Sequence, residues 1–345
     1  MHKPLPPAAN RPRALLRRLL AALCALAALG AALYLGTRAL EASARREEPR
    51  GDLTARFTPA PTVLWQGASY APRKRLTSLL LLGVDRPSDA AQSATPYRNG
   101  GQADFLMLLV VDHEQKRITP IQIDRDTLAQ VTTLGVLGNV TGMRSMQICL
   151  SHGFGDGGIT SAALTRDAVQ RLLLGADVSF TLAMNLDGIA VLNDVLGGVP
   201  VTLLDDFTAL DPAMRQGVTL TLRGKQAEYF VRNRRGIGVG TNASRTVRQQ
   251  VYWQGLSDAL AAYMARNGGA DALDALLDTL QPYLVTDIPR GRLINEAWRA
   301  REYTRSAPVQ PQGTYALDAD GFVAFTPDAD SLMRLVMDTF FSQVP

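Results

Sequence analysis

Hydrophobic residues are distributed along this chain in two different ways. Near the start they form one unbroken run, LLAALCALAALGAALYLG at positions 19–36, eighteen residues without a charge. Coiled as a helix at ~1.5 Å per residue the run covers ~27 Å, close to the ~30 Å of a bilayer's hydrocarbon layer. Arg11, Arg13, Arg17 and Arg18 precede it, which by the positive-inside bias holds the N-terminus in the cytoplasm and sends the rest across. Residues 1–18 therefore read as a basic cytoplasmic segment and 19–36 as a transmembrane helix. Residues 37–75, rich in Glu, Arg, Pro and Thr and without sustained periodicity, read as an extracytoplasmic stalk ending in a short strand near Val63–Trp65. Ala42-Ser43-Ala44 imitates a signal-peptide cleavage site, but the apolar run is long for a signal peptide, so an uncleaved anchor is the reading.

From Leu76 onward the apolar residues come in short runs and helical stripes instead. Leu76–Val84, Phe105–Val111, Arg117–Ile123, Val178–Met184 and Val199–Leu203 have the length and content of buried strands. The second and third of these are joined by the turn-like Asp112-His113-Glu114-Gln115 as a hairpin. Helices are predicted over Thr160–Leu174 (capped by Thr160 or Ser161 and stopped by Gly175), Asp187–Leu196, Lys225–Val231, Ser244–Ala265, Asp271–Leu280, Ile288–Arg301 and Asp330–Phe341. Strands interleaved with helices, including a tight hairpin, predict an α/β domain over 76–345 with a mixed sheet covered on both faces.

Composition narrows the chemistry. With 46% hydrophobic and 20% charged residues among 345, the body is globular rather than disordered. Two cysteines exclude a disulfide scaffold, and three histidines leave no His-rich metal site. Residues 1–56 hold ten Lys/Arg against four Asp/Glu, so of the total charge of +4 the remainder of the chain carries −2. The basicity is a property of the membrane flank, and the body offers no basic face for nucleic acid.

Three clusters remain as candidate chemistry. Asp85 ends one strand and Asp104 opens the next, after the loop Arg98-Asn99-Gly100-Gly101-Gln102-Ala103. Two carboxylates at neighbouring strand ends either form turns or share a hard cation such as Mg²⁺. Arg125, between Asp124 and Asp126, is either an ion-paired structural residue or a bidentate phosphate ligand. Arg232 and Arg234 end a helix, where the dipole alone favours cations. Arg245, Arg248 and Gln249 follow on one face of the next helix's start, which is the description of an anion site. Together these predict a metal-assisted site for a highly phosphorylated ligand. No Ser-His-Asp arrangement, Walker loop or zinc spacing occurs, and His113 and His152 read as structural.

Taken in order, the segments resemble the LytR–CpsA–Psr family of extracytoplasmic enzymes. They run LLLLGVDRP at Leu79–Pro87, GGQADFLMLLVV at Gly100–Val111, ITPIQIDRDT at Ile118–Thr127 and NLDGIAVLNDVLGGVPV at Asn185–Val201. LRGKQAEYFVRNR at Leu222–Arg234 and SRTVRQQ at Ser244–Gln250 complete the set. The resemblance implies an α–β–α layered domain with an apolar groove for a polyprenyl tail, behind one N-terminal transmembrane helix. It implies transfer of a glycopolymer from a polyprenyl-pyrophosphate carrier to a peptidoglycan hydroxyl, with Mg²⁺ or Mn²⁺. By position, Asp85 and Asp104 match the metal-binding acids, and Arg125, Arg232 and Arg234 the pyrophosphate-clamping arginines. Arg245 and Gln249 match residues of the supporting motif. Three positions depart from the pattern: Gln102 stands for a usual arginine, Asp124 for a usual proline and Asn242 for a common acid. Arg98 and Arg86 are the candidates to replace the missing cation.

The expected function is thus a membrane-anchored phosphotransferase whose partners are the lipid-linked glycopolymer, peptidoglycan and the lipid bilayer. A non-catalytic polyprenyl-phosphate binder and a pyrophosphatase acting on the same lipid are the alternatives, the first motivated by Gln102. A transcriptional role fails on topology, since an exported body does not meet DNA.

Overall fold

The computed structural model describes residues 62–86, 100–234, 236–318 and 321–344. The expected cytoplasmic segment, the transmembrane helix at 19–36, most of the stalk and Arg98 lie outside the described residues. Among the described residues no helix is long and apolar enough to cross a membrane. The strands are β1 (Val63–Trp65), β2 (Ala68–Pro72), β3 (Leu76–Asp85), β4 (Gln102–Asp112), β5 (Arg117–Ile123), β6 (Leu128–Leu134), β7 (Val140–Gln147) and β8 (Phe180–Asn185). They continue as β9 (Val199–Thr202), β10 (Thr219–Leu222), β11 (Leu284–Thr286), β12 (Thr304–Arg305), β13 (Gly313–Leu317), β14 (Val323–Pro327) and β15 (Phe341–Val344). The longer helices are α1 (Ile159–Leu172), α2 (Leu186–Val195), α3 (Lys225–Arg232), α4 (Asn242–Arg266), α5 (Ala270–Leu280), α6 (Arg290–Ala300) and α7 (Ala329–Phe340).

Four of the five strands predicted from Leu76 onward, β3, β4, β5 and β8, meet in one mixed sheet ordered β11-β8-β3-β4-β5-β12. Its edge strands β11 and β12 are not predicted by the sequence pattern, and the fifth predicted strand, β9, pairs with β10 in a separate sheet. β3 lies antiparallel to β4 and parallel to β8, and β4 is antiparallel to β5. Strand alternation sorts the side chains. Leu80, Leu82, Leu106, Leu108, Ile121 and Ile123 point to one face, where Ala168, Val169 and Leu173 from α1 and Val336 and Phe340 from α7 close a buried core. The other face carries Leu79, Leu81, Phe105, Leu109 and Leu182, which stay only half-buried although their strands are central. That face meets α6 through Arg292, stacked 4.6 Å from the Phe180 ring, and α2 through Gly188 against Met184. The result is the three-layer arrangement with a mixed central sheet, its second face an incompletely covered apolar trough.

Two differences from the sequence reading have physical causes. β1 and β2 form a hairpin, and β2 pairs with the C-terminal β15. The compact unit accordingly starts at Thr62 rather than Leu76. β1 is the short strand expected near Val63–Trp65, whereas β2 is short and finds its second partner, β15, at the other end of the chain, so no local pattern announces that pairing. The cap of α1 is Gly158, not Thr160 or Ser161; Ser161 Oγ instead accepts the Gly157 N–H at 2.8 Å, inside the loop before the helix. The stop at Gly175 (φ +86°) is as expected.

Both central histidines are structural. His152 is buried and donates from Nδ1 to the Gly100 carbonyl at 2.7 Å, tying the loop before β4. His113 sits among Thr77, Tyr303 and Glu296. Burial holds both imidazoles below the ordinary 6.5. The unfolded chain therefore takes up protons below about pH 6.5 that the native state excludes, and stability falls on acidification. Urea midpoints measured between about pH 7.5 and about pH 5.5 should fall with pH, and should fall less in His113→Gln/His152→Gln.

Candidate active site

The site forms where three central strands end. β3 terminates at Asp85, and β4 begins beside it at Gln102. The β3–β4 ladder pairs Gly83 with Phe105 and Val84 with Ala103, leaving Asp104 as the extra residue of a β-bulge. A bulge re-aims the side chain it carries, and here it turns Asp104 toward the strand ends. Gly101, at φ +71°, makes the entry to β4; a Cβ there would lie 2.9 Å from the Asp85 carbonyl oxygen. β5 ends at Ile123, and the following turn supplies Asp124, Arg125 and Asp126.

The other wall comes from α3 and α4. Thr241 caps α4 by accepting the Ser244 N–H at 3.2 Å. The first turns of α4 carry Asn242, Arg245, Arg248 and Gln249, all buried. Arg248 is wholly buried and donates to the carbonyls of Phe230 (3.1 Å) and Asn233 (2.6 Å), with Asp205 at 3.3 Å as its counter-ion. Gln249 donates to Val231 O at 3.2 Å. The unpaired carbonyls at the end of α3 are thereby satisfied by α4, which sets the direction in which Arg232, Asn233 and Arg234 leave the helix. In the loop that follows, Gly238 (φ +51°) lies so close to Asp205 that any Cβ would overlap its carboxylate.

Asp85, Asp104, Arg232, Asn233, Arg234 and Arg245 line one open cavity of about 350 Å³. Asp104 is gripped from two sides: Arg125 Nη1 bonds Oδ1, and Arg245 Nη1 donates to Oδ2 at 3.2 Å. Arg232 Nη2 donates to Asp85 at 2.9 Å, and its Nη1 to Glu228 one helical turn back at 3.1 Å. Arg234 is exposed and makes no ion pair among the described residues. Three guanidinium groups thus meet two carboxylates on the wall, a balance that leaves the cavity electropositive.

Of the residues singled out from sequence, Asp85, Asp104, Arg232, Arg234 and Arg245 are brought to this wall. Arg125 is not on it. Its Nη2 donates to Gln102 Oε1 at 2.5 Å and to Cys149 Sγ at 3.1 Å, and Asp126 lies 3.2 Å from its Nε. Its guanidinium is taken up by Asp104, Gln102, Cys149 and Asp126. Gln102, in the place of a cation, accepts from Arg125 and so orients it. Arg86 turns away toward the Asp156 carbonyl at 3.3 Å. Burial pushes the Cys149 thiol up to about 11, so it stays protonated beside Arg125. Burial and the neighbouring Asp124 raise the Asp126 carboxyl against the pull of Arg125.

The sequence did not show that two of the departing residues touch. Asp124 Oδ1 accepts from Asn242 Nδ2 and from the Asp126 N–H, both at 2.8 Å, and Oδ2 accepts from Tyr315 OH at 2.5 Å. Asn242 Oδ1 in turn accepts from Arg245 Nη2 at 2.7 Å. A buried carboxylate on the β5 turn therefore reaches Arg245 through an amide on α4. Asn233 on the cavity wall is the other residue that the sequence reading passed over, having no charge to flag it.

Residues 54–334 match the profile described as "LytR_cpsA_psr family". The chain is 25% identical over 254 residues, 73% of its own length, to a Bacillus cereus (strain AH820) protein named polyisoprenyl-teichoic acid–peptidoglycan teichoic acid transferase TagU, of which it covers 74%. Among solved structures, protein gbs0355 from Streptococcus agalactiae aligns with a TM-score of 0.61 at 19% identity, over 76% of this chain and 87% of that one. A structure of TagT bound to LI-WTA aligns with a TM-score of 0.58 at 20% identity, over 77% and 90%.

Two outcomes check this reading of the wall. Arg248→Met strands Asp205 and two carbonyls in the interior and should cost about 3–5 kcal/mol by urea denaturation, while Arg234→Ala should stay within about 0.5 kcal/mol. Asp124→Ala and Asn242→Ala should each destabilise by about 1–3 kcal/mol, with the double variant well short of additive.

Proposed function

The chain belongs to the LytR–CpsA–Psr family, and from that membership we propose that it is a membrane-anchored, extracytoplasmic phosphotransferase. It attaches a glycopolymer carried on polyprenyl pyrophosphate to a peptidoglycan hydroxyl. The apolar run at 19–36 is the anchor, with the basic segment before it in the cytoplasm. The observation that carries the proposal is the convergence of Asp85, Asp104, Arg232, Arg234 and Arg245 on one open cavity. Two acids and three guanidinium groups in one opening suit a dianionic, phosphate-rich group and little else.

The residues divide the work by burial. The Arg232 side chain is 40% exposed and Arg234 is exposed as well, so both are able to turn onto a pyrophosphate; planar guanidinium groups match its oxygens pairwise. Arg245 is 2% exposed and tethered by Asn242, and contributes a fixed charge. Arg125 acts through Asp104. Charges held in place before the substrate arrives need no reorganisation as charge builds on the departing phosphate. The half-buried trough of Leu79, Leu81, Phe105, Leu109 and Leu182 is of the right chemistry for a prenyl chain.

Asp85 and Asp104 fit Mg²⁺ or Mn²⁺ by donor type: two carboxylates on one cavity wall, the remaining positions falling to water and phosphate oxygens. Such an ion, when bound, neutralises charge on the pyrophosphate. Of the acids able to accept the hydroxyl's proton, Asp126 sits beside Arg125, off the cavity wall, which leaves that role to one of the two wall acids, Asp85 and Asp104.

The test incubates the purified chain with a labelled polyprenyl-pyrophosphoryl oligosaccharide and a peptidoglycan fragment. A sugar–phosphate–sugar linkage should form, vanish on chelation, and form with kcat/KM lower by roughly 10²–10³ in Arg232→Ala. Release of polyprenyl phosphate without a linkage would make the protein a pyrophosphatase. Tight lipid binding without turnover would make it a binder, with Gln102 the residue to convert to arginine.

A further inference from the structure

The hairpin of β6 and β7 places apolar side chains where turns are normally polar. Its closing turn is Gly135-Val136-Leu137-Gly138, set by the Gly138 N–H on the Gly135 carbonyl at 2.9 Å. The two central positions are Val136, 51% exposed, and Leu137, 86% exposed. Val140 and Met143 follow on β7 at 67% and 60%. Thr127 through Met143 is uncharged throughout, and Val140–Ser145 is exposed residue after residue on a strand edge unpaired among the described residues. Open edges in soluble proteins are ordinarily blunted by charge or proline; this one has neither until Arg144.

The position of the tip identifies what covers it. β6 leaves the site end of the sheet at Thr127, whose carbonyl accepts from Ile148 N. It runs alongside α1, whose last turn meets it through Arg171 bonds to Gln130 O and Thr132 Oγ1, both 3.0 Å. Beyond α1 the chain returns to the start of β3, with Asp177 O accepting from Ser78 Oγ at 2.7 Å. The tip therefore lies at the end of the sheet opposite the cavity, the end at which β3 begins at Leu76 and which the described chain reaches from Thr62 through β1 and β2. Exposed Leu174 closes α1 at that same end.

Charge there runs against the body's balance. Residues after 56 sum to −2, yet exposed Lys74, Arg75, Lys116 and Arg171 at this end exceed exposed Glu114, Asp177 and Asp338. Exposed apolar side chains at an end with a cationic excess of four to three suit an anionic bilayer interface. The 25 residues from 37 to 61 reach up to about 85 Å when extended, so the tether alone leaves the body's height and tilt unset. We propose that the β6–β7 hairpin tip docks into the anionic membrane surface, with Val136, Leu137, Val140 and Met143 entering the headgroup–acyl boundary. This inference rests on the anchored reading above. It holds the cavity about 30 Å from the bilayer, the length of the ten-residue β3.

The experiment places single tryptophans in the full chain reconstituted into phosphatidylglycerol-containing vesicles with brominated acyl chains. The parent signal from Trp65, Trp253 and Trp298 is subtracted. Leu137→Trp should show blue-shifted added emission that bromine largely quenches, less so in phosphatidylcholine alone. Thr208→Trp, in the loop between β9 and β10, should stay unquenched. Added emission in Leu137→Trp that bromine leaves unquenched overturns the proposal, and if it is also blue-shifted the tip is covered by protein instead. Equal quenching in both variants overturns it too, since the body would then contact lipid without orientation. Alkaline carbonate extraction of the same vesicles tests the anchor separately: release of the chain defeats the anchor, whatever the Leu137→Trp emission reports.

Discussion

The cavity depends on one carboxylate held by two arginines from different parts of the chain. Asp104 rides on a bulge in β4, Arg125 comes from the turn after β5, and Arg245 from the first turns of α4. The central sheet and the second helical layer are joined at this point by charge rather than by apolar packing. Partly buried ions lose hydration, and only close, multiply bonded geometry offsets that loss. Each member here has further partners: Gln102 and Cys149 for Arg125, Asn242 for Arg245. Removing any one leaves the others buried and under-paired. The same network fixes the orientation of the Arg125 and Arg245 guanidinium groups.

A second buried arginine makes the first arrangement useful. Arg248 binds the end of α3 and fixes the exit of Arg232 and Arg234, although it never reaches the cavity. α4 thus performs two tasks with residues three apart: Arg245 faces the site and Arg248 faces the neighbouring helix. The pairing of Asp124 with Asn242 belongs to the same scheme. An acid placed on the β5 turn supports Arg245 through an amide on α4, so these two departures from the family pattern form one coupled unit. Gln102 is of another kind, replacing a positive charge by an acceptor that positions Arg125.

The two ends of the sheet have opposite chemistry. One end gathers arginines and carboxylates at strand termini, where bulges and turns free side chains from the ladder. The other carries an uncharged hairpin and exposed cations beside the start of β3. Between them, on the face away from the α1–α7 core, runs a trough of half-buried apolar side chains along the central strands.

The sequence alone determined the core strands, the longer helices and the α/β class, because these depend on local periodicity. β3 and β4 each carry several consecutive apolar residues, β5 carries Ile118, Ile121 and Ile123 after a turn, and α3 through α7 begin and end within about two residues of their sequence signals. It also determined which residue types carry chemistry, since charged residues at strand ends and helix starts stand out against an apolar background. Only the tertiary structure decided their roles. That Arg125 pairs with Asp104 and Gln102 depends on how the turn after β5 meets β4. Whether Asp124 meets Asn242 turns on a contact across more than a hundred residues, and β2 with β15 pairs the two ends of the body. Non-local contacts leave no periodic trace, because each partner satisfies its own local pattern equally well in either arrangement.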